Sequence, residues 1–269
     1  MAIKKLSKAD VWSLPKIRDH LIRLQDEART HVSGSGGVNE IPYFLDPHRL
    51  DSEANLTYNP DTNLLAVQGI ASIGNISGGN YTDVEADGTV HFNGDATVWE
   101  DLRVPAQNTK LNPANSEPAF ESLIGGLYAY KFDTSNADNE SVHFIAQMSH
   151  KYKEGSDIYP HIHWCPDSTN TGDVYWSFEY TIANVNGTIG ATTTDEITVP
   201  ADGTSLKHQL DEFTAIDGTG LTISHIIICR LTRRSTTQAA DTFTGNACFL
   251  EFDFHFECDT VGSRTVLIK

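Results

Sequence analysis

Two histidines stand one residue apart, His161 and His163, in the stretch GSDIYPHIHWCP. Imidazole titrates near neutral pH and is a common metal ligand. On a β-strand, residues i and i+2 share a face, so both rings can address one point. With a carboxylate in reach, such a pair could hold a divalent metal and leave positions open for chemistry. Parity constrains this reading. Ile158, Pro160, Ile162 and Trp164 fall on one face, and Tyr159, His161, His163 and Cys165 on the other. Ile162 and Trp164 therefore belong in a core, and the histidines point away from it.

The spacing of Gly155, His161 and His163 matches the first half of a cupin metal motif, with Asp167 where that motif carries a glutamate. The second half, a Pro-x-Gly followed closely by another histidine, is missing. Pro200, Gly203 and His208 in PADGTSLKH have the wrong spacing. A cupin-like metal-binding protein or metalloenzyme using His161 and His163 is the alternative function. A second metal reading needs no catalysis. Three H-x-H strands meeting on a threefold axis would offer six imidazoles to one structural divalent ion. The plain reading is that both rings make hydrogen bonds at a surface or a subunit contact, with no cofactor. The sequence holds no G-x-S-x-G, P-loop, Rossmann glycine run or H-E-x-x-H. It is read as non-enzymatic.

Other polar sets raise the same question. Glu251, Asp253, His255 and Glu257 share a strand face that could meet a cation or a sugar, with Arg230, Arg233 and Arg234 as candidate charge partners. Tyr128, Tyr130, Tyr175 and Tyr180 could stack on sugars. The four cysteines, Cys165, Cys229, Cys248 and Cys258, form no C-x-x-C pair and read as reduced, packed side chains.

The elements that position these groups are strands. In VYWSFEYTI, Val174, Trp176, Phe178, Tyr180 and Ile182 alternate with polar residues. In ACFLEFDFHFEC, the alternation places Cys248, Leu250, Phe252, Phe254, Phe256 and Cys258 on one face. Such runs, separated by Gly, Asn, Asp, Ser and Thr clusters and not by helices, predict a mainly β fold: an antiparallel jelly-roll-like sandwich over 96–269. The Phe252/Phe254/Phe256 row would line one wall, and Val174/Trp176/Phe178 the other.

The rest of the chain reads differently. Val11, Leu14, Ile17, Leu21 and Leu24 recur at helical spacing, and SGSGG at 33–37 ends the pattern. Residues 1–37 are expected to be an anchoring helix and linker, whose apolar stripe packs on other copies or on another protein. Residues 38–95 are rich in Gly, Asn, Asp and Thr and predict short strands in a thin neck, with the missing burial supplied by neighbouring chains. The net charge is −17, yet residues 1–32 carry +3. An acidic body opposes binding to phosphate backbones, so nucleic acid is excluded as a partner. No apolar run approaches the roughly 20 residues of a membrane helix, so membrane insertion is excluded as well.

At ATVWEDLRVP (96–105), YKEGSDIYPHIHW (152–164), TIANVNGTIG (181–190) and FLEFDFHFECDTVGSR (249–264), the chain resembles a family of tailed-bacteriophage virion structural proteins of tail, fibre or head-appendage type. The resemblance covers 96–269. It implies a virion component made in the host cytoplasm and brings no catalytic residues with it. The expectation is a homotrimer held to other virion proteins by its N-terminal segment. Its β head would contact a host-surface glycan or receptor, with the loops 134–141, 184–195 and 233–246 as candidate contacts.

Overall fold

The computed structural model describes residues 40–46, 49–59, 61–62, 64–112, 116–134 and 140–269. The expected N-terminal helix, with Val11, Leu14, Ile17, Leu21 and Leu24, lies outside the described residues.

Alternating sequence becomes strand throughout. The order is β1 (Glu40–Asp46), β2 (Arg49–Asn59), β3 (Leu64–Val67), β4 (Ala71–Asn75), β5 (Asn80–Val84), β6 (Val90–Asn93), β7 (Val98–Pro105), β8 (Ala119–Ile124), β9 (Leu127–Phe132), β10 (Glu140–Gln147), β11 (Ile158–Pro166), β12 (Asp173–Ala183), β13 (Thr193–Pro200), β14 (Gln209–Glu212), β15 (Ile226–Arg233) and β16 (Ala247–Cys258). Strands β1-β2-β3 form one small sheet and β4-β5-β6 another. A four-stranded sheet, β10-β15-β12-β13, and a six-stranded one built on β14-β11-β16-β9-β8 make the sandwich. Their ladders are antiparallel, and the fold is the mainly β, jelly-roll-like sandwich that the alternation predicts.

β16 organises the six-stranded sheet. Its twelve residues pair with β11 along one edge. Along the other edge, Glu251–Cys258 pair with β7 and Ala247–Phe249 with β9. The two predicted walls meet through their aromatic rows. The Phe178 ring lies 4.8 Å from Phe252, and Trp176 lies 6.2 Å from Trp164. Contacts of this kind contribute about 0.5–1.5 kcal/mol per pair beyond the area they bury.

The β16 pattern needs a correction. Opposite His163 stands Glu251, but opposite Trp164 stands Phe249, so Leu250 is an extra residue in a β-bulge. Parity flips there. Ala247 and Phe249 join the core, Leu250 turns to the outer face, and Cys248 lies opposite Cys165. The four cysteines are free and buried.

The arginines offered to the acidic face are also used elsewhere. Arg230 pairs with Glu179 and Arg234 with Glu196. Arg233 is wholly buried. Its Nη2 and Nε bond Asp241 at 2.8 and 3.0 Å, and it donates to the carbonyls of Phe132, Phe243 and Gly245. The 233–246 connection is therefore pinned from inside. The partners of the acidic face are Arg103, on Glu251, and Lys153, on Glu257.

The chain gathers into two compact units. One takes the described residues up to Ala71 with Glu85–Asp87, and the other takes Ser72–Val84 and Gly88–Lys269. In the second unit the β6 end is tied to the sandwich, since Phe92 N donates to Asp259 O at 2.7 Å.

Candidate functional site

Strand register gathers polar side chains on the outer face of the six-stranded sheet. Arg103 on β7, Asp253 on β16, His161 on β11 and Glu212 on β14 form one row across four strands. A second row holds Asp101, His255 and Tyr159, and a third holds Glu251, His163 and Leu210. Each strand contributes alternate residues: W-x-D-x-R at 99–103, H-x-H at 161–163 and E-x-D-x-H at 251–255. The residues between them, such as Val104, Ile162, Phe252 and Phe254, fill the core. The histidines thus lie off the core, as strand parity requires.

Asp253 is the hub, with its side chain only 7% exposed. Its Oδ2 accepts from His163 Nε2 at 3.0 Å. His161 Nδ1 stands 3.2 Å from Oδ1, but off the line of a hydrogen bond, so Oδ1 is buried without a hydrogen-bond partner. His161 Nε2 lies 3.6 Å from Glu212 Oε1. His163 Nδ1 and His208 Nε2 are 2.8 Å apart. The network assigns the tautomers. With Nε2–H of His163 donating to Asp253, its Nδ1 is a lone pair that accepts from His208 Nε2–H.

The electrostatics follow from that hub. The Asp253 carboxylate raises the His161 pKa above its usual value, against the effect of burial. Burial alone would push Asp253 up, but the two imidazoles outweigh it and hold the carboxyl below its usual value. Arg103 makes a bidentate pair with Glu251, its Nη2 at 2.6 Å from Oε2. That pair is solvent-exposed and stabilises little; its effect here is to neutralise one carboxylate.

At one end of the face stands Trp99. Its indole stacks on His255, with centroids 4.9 Å apart and planes 10° apart, and meets the edge of Tyr159 at 5.6 Å. His255 Nδ1 is held 2.6 Å from Asp101 Oδ1. Beside them a cavity of about 350 Å³ is lined by Asp101, Arg103, His163, His208, Leu250, Glu251 and Asp253.

Against the sequence reading, His161 and His163 are joined through the Asp253 carboxylate. Asp167 is not near them as a third ligand. Its two oxygens accept from the backbone and side-chain nitrogens of Asn246 at 2.8 Å each, because a turn there has to be closed. Among the described residues, no three His, Cys, Asp or Glu side chains converge as they would around a metal ion. Of the four tyrosines, Tyr128 is exposed; Tyr130 and Tyr180 pack against the core, and Tyr175 bonds Glu196. Sequence reasoning missed Trp99 and Asp101, and set His208 aside on its spacing. The first two were findable, since W-x-D-x-R has the same period as H-x-H. The pairing of His208 with His163 was not legible, because a connection and not a strand period brings the two together.

No protein-family model and no curated protein matches the chain. Solved structures resemble it distantly. The CBM36-1 domain of a multidomain xylanase from the hindgut metagenome of Trinervitermes trinervoides is 12% identical over 62% of this chain and 100% of that one, with a TM-score of 0.29. A family 35 carbohydrate binding module from Clostridium thermocellum is 12% identical over 57% and 97%, with a TM-score of 0.31. An exo-beta-1,3-galactanase from Phanerochaete chrysosporium is 8% identical over 74% and 36%, with a TM-score of 0.32. At these values the likeness carries nothing about ligand or activity.

Proposed function

We propose that the protein is a non-enzymatic structural component of a tailed-bacteriophage particle. It is a homotrimeric fibre or appendage, attached to other virion proteins by its N-terminal segment, with the β sandwich as a head that contacts the host surface. The resemblance over 96–269 supports the class of particle. The observation that carries the oligomer is an apolar surface on the neck strands. Leu56 and Tyr58 on β2 stand opposite Val67 and Leu65 on β3. Directly opposed residues share a face, and these four are 37%, 42%, 46% and 56% exposed. Ile70 follows in the same unit, at 62% exposure. Short strands that leave so much apolar surface in water need burial from elsewhere. Two further copies of the same chain would supply it with every chain equivalent.

Light scattering of the purified protein tests this. The expected mass is three times the 29.6 kDa of one chain. A stable monomer at micromolar concentration overturns the fibre reading. Labelled antibody against the protein, imaged on intact particles, checks the location.

A further inference from the structure

We infer that the outer face of the six-stranded sheet, from Trp99 to the cavity beside Asp253, binds a neutral or amino-bearing saccharide. This rests on the reading of the sandwich as a host-contacting head, and it places that contact on a sheet face, away from the loops.

Trp99 supplies a platform. One face of its indole is covered by His255, Tyr159 meets it edge-on, and the side chain is still 48% exposed. The indole is therefore held in place while about half of the residue stays open to solvent. The other described tryptophans, Trp164 and Trp176, are fully buried. An indole fixed by packing loses little freedom when a sugar ring stacks on it. From Trp99 to Asp101 is two residues of strand, about 6.6 Å, a step comparable to one hexose unit. A saccharide stacked on Trp99 would reach the cavity with its next unit.

The cavity suits hydroxyl groups, which both donate and accept. Asp101 and Glu251 offer acceptors, Arg103 offers donors, and His208 completes the polar lining. Asp253 also lines the cavity, its carboxylate held between His161 and His163. Charge selects within the class. Three carboxylates, Asp101, Glu251 and Asp253, face one guanidinium, Arg103, on a chain of net charge −17. Carboxylated or sulfated sugars would be repelled. A protein partner fits less well, because charged groups are depleted at the centre of protein interfaces, and here they occupy it.

The test is an array of neutral, amino-bearing and acidic oligosaccharides probed with the full chain, followed by tryptophan-fluorescence titration of the best hit. The expected result is binding confined to neutral or amino-bearing glycans, weakened at least tenfold by Trp99→Ala and by Asp101→Asn. Tyr128→Ala, on the separate β8–β9 hairpin, should leave it unchanged. Both Trp99 and Asp101 are solvent-exposed, so both variants should fold, and circular dichroism checks that they do. The inference is overturned if no glycan binds, if only acidic glycans bind, or if Tyr128→Ala abolishes binding while Trp99→Ala does not. None of these outcomes changes the mass expected of the trimer, so the structural reading stands or falls separately.

Discussion

A buried imidazole with one partner behaves differently from the pair around Asp253. His225 is fully buried; its Nδ1 donates to the Thr222 carbonyl at 2.7 Å, and its Nε2 meets no hydrogen-bond partner. Burial pushes its pKa below the usual value, with the Thr222 bond acting the other way. His143 is shifted in the same direction, first by burial and then by Arg230. A base whose folded pKa is depressed is protonated first in the unfolded chain. Acid therefore favours unfolding once pH drops below about 6.5, the free imidazole value. His161 works the opposite way. Its raised pKa gives stability that is present at low pH and is lost as pH rises through its folded pKa. His225 and His143 therefore contribute a fall in stability from pH 7 to pH 5, which His161 opposes. In His225→Asn the amide can still donate to Thr222 but does not titrate. The slope of urea midpoint against pH over that window should flatten; an unchanged slope would show that His225 is not a source of the acid sensitivity. The face carried by the H-x-H pair was legible from parity alone. The orphan nitrogen of His225 was not, because burial of one atom is settled by packing from distant strands.

Among the elements, alternation made the sandwich readable, and two devices hid from it. The bulge at Leu250 has no local mark, since it is fixed by pairing with β11 across the sheet. Arg233 ends β15 in a run of Thr and Arg that reads as a solvated turn. The fold instead takes its guanidinium inside, where Asp241 and three carbonyls satisfy it, with Phe243 5.5 Å beneath. Both partners of this ion pair are essentially unexposed, at 0% and 1%. Removing one partner of such a pair leaves the other charged and unsolvated, at a cost of about 3–5 kcal/mol. Arg233→Met should lose about that much in denaturant unfolding. Arg233→Lys should fall between, because an ammonium cannot make the bidentate contact to Asp241. If Arg233→Met unfolds at the wild-type midpoint, the buried cation is not what holds the 233–246 connection.

For the molecule as a whole, burial is uneven. The sandwich closes its own core, with Phe132, Phe178, Phe249, Phe252 and Phe254 at 4% exposure or less. Leu56 and Tyr58 on β2 and Leu65 and Val67 on β3 stay exposed. The sequence already marked 38–95 as too rich in Gly, Asn and Thr to build a core; it could not say which face would stay bare. The register of β2 and β3 does, setting Leu56, Tyr58, Leu65 and Val67 side by side. If that face joins copies of the chain, one charge on it should disturb assembly and nothing else. Each buried Leu contributes about 1.5–3 kcal/mol by leaving water, and a carboxylate buried unpaired in its place reverses the sign. In a symmetric trimer the change is made three times. Leu65→Asp should therefore shift the mass seen by light scattering from trimer towards monomer. The near-ultraviolet circular dichroism of Trp164 and Trp176, buried in the sandwich, should stay as it is. A trimer that survives Leu65→Asp would move the interface off this face; loss of the sandwich signal would mean that the neck is part of its folding unit.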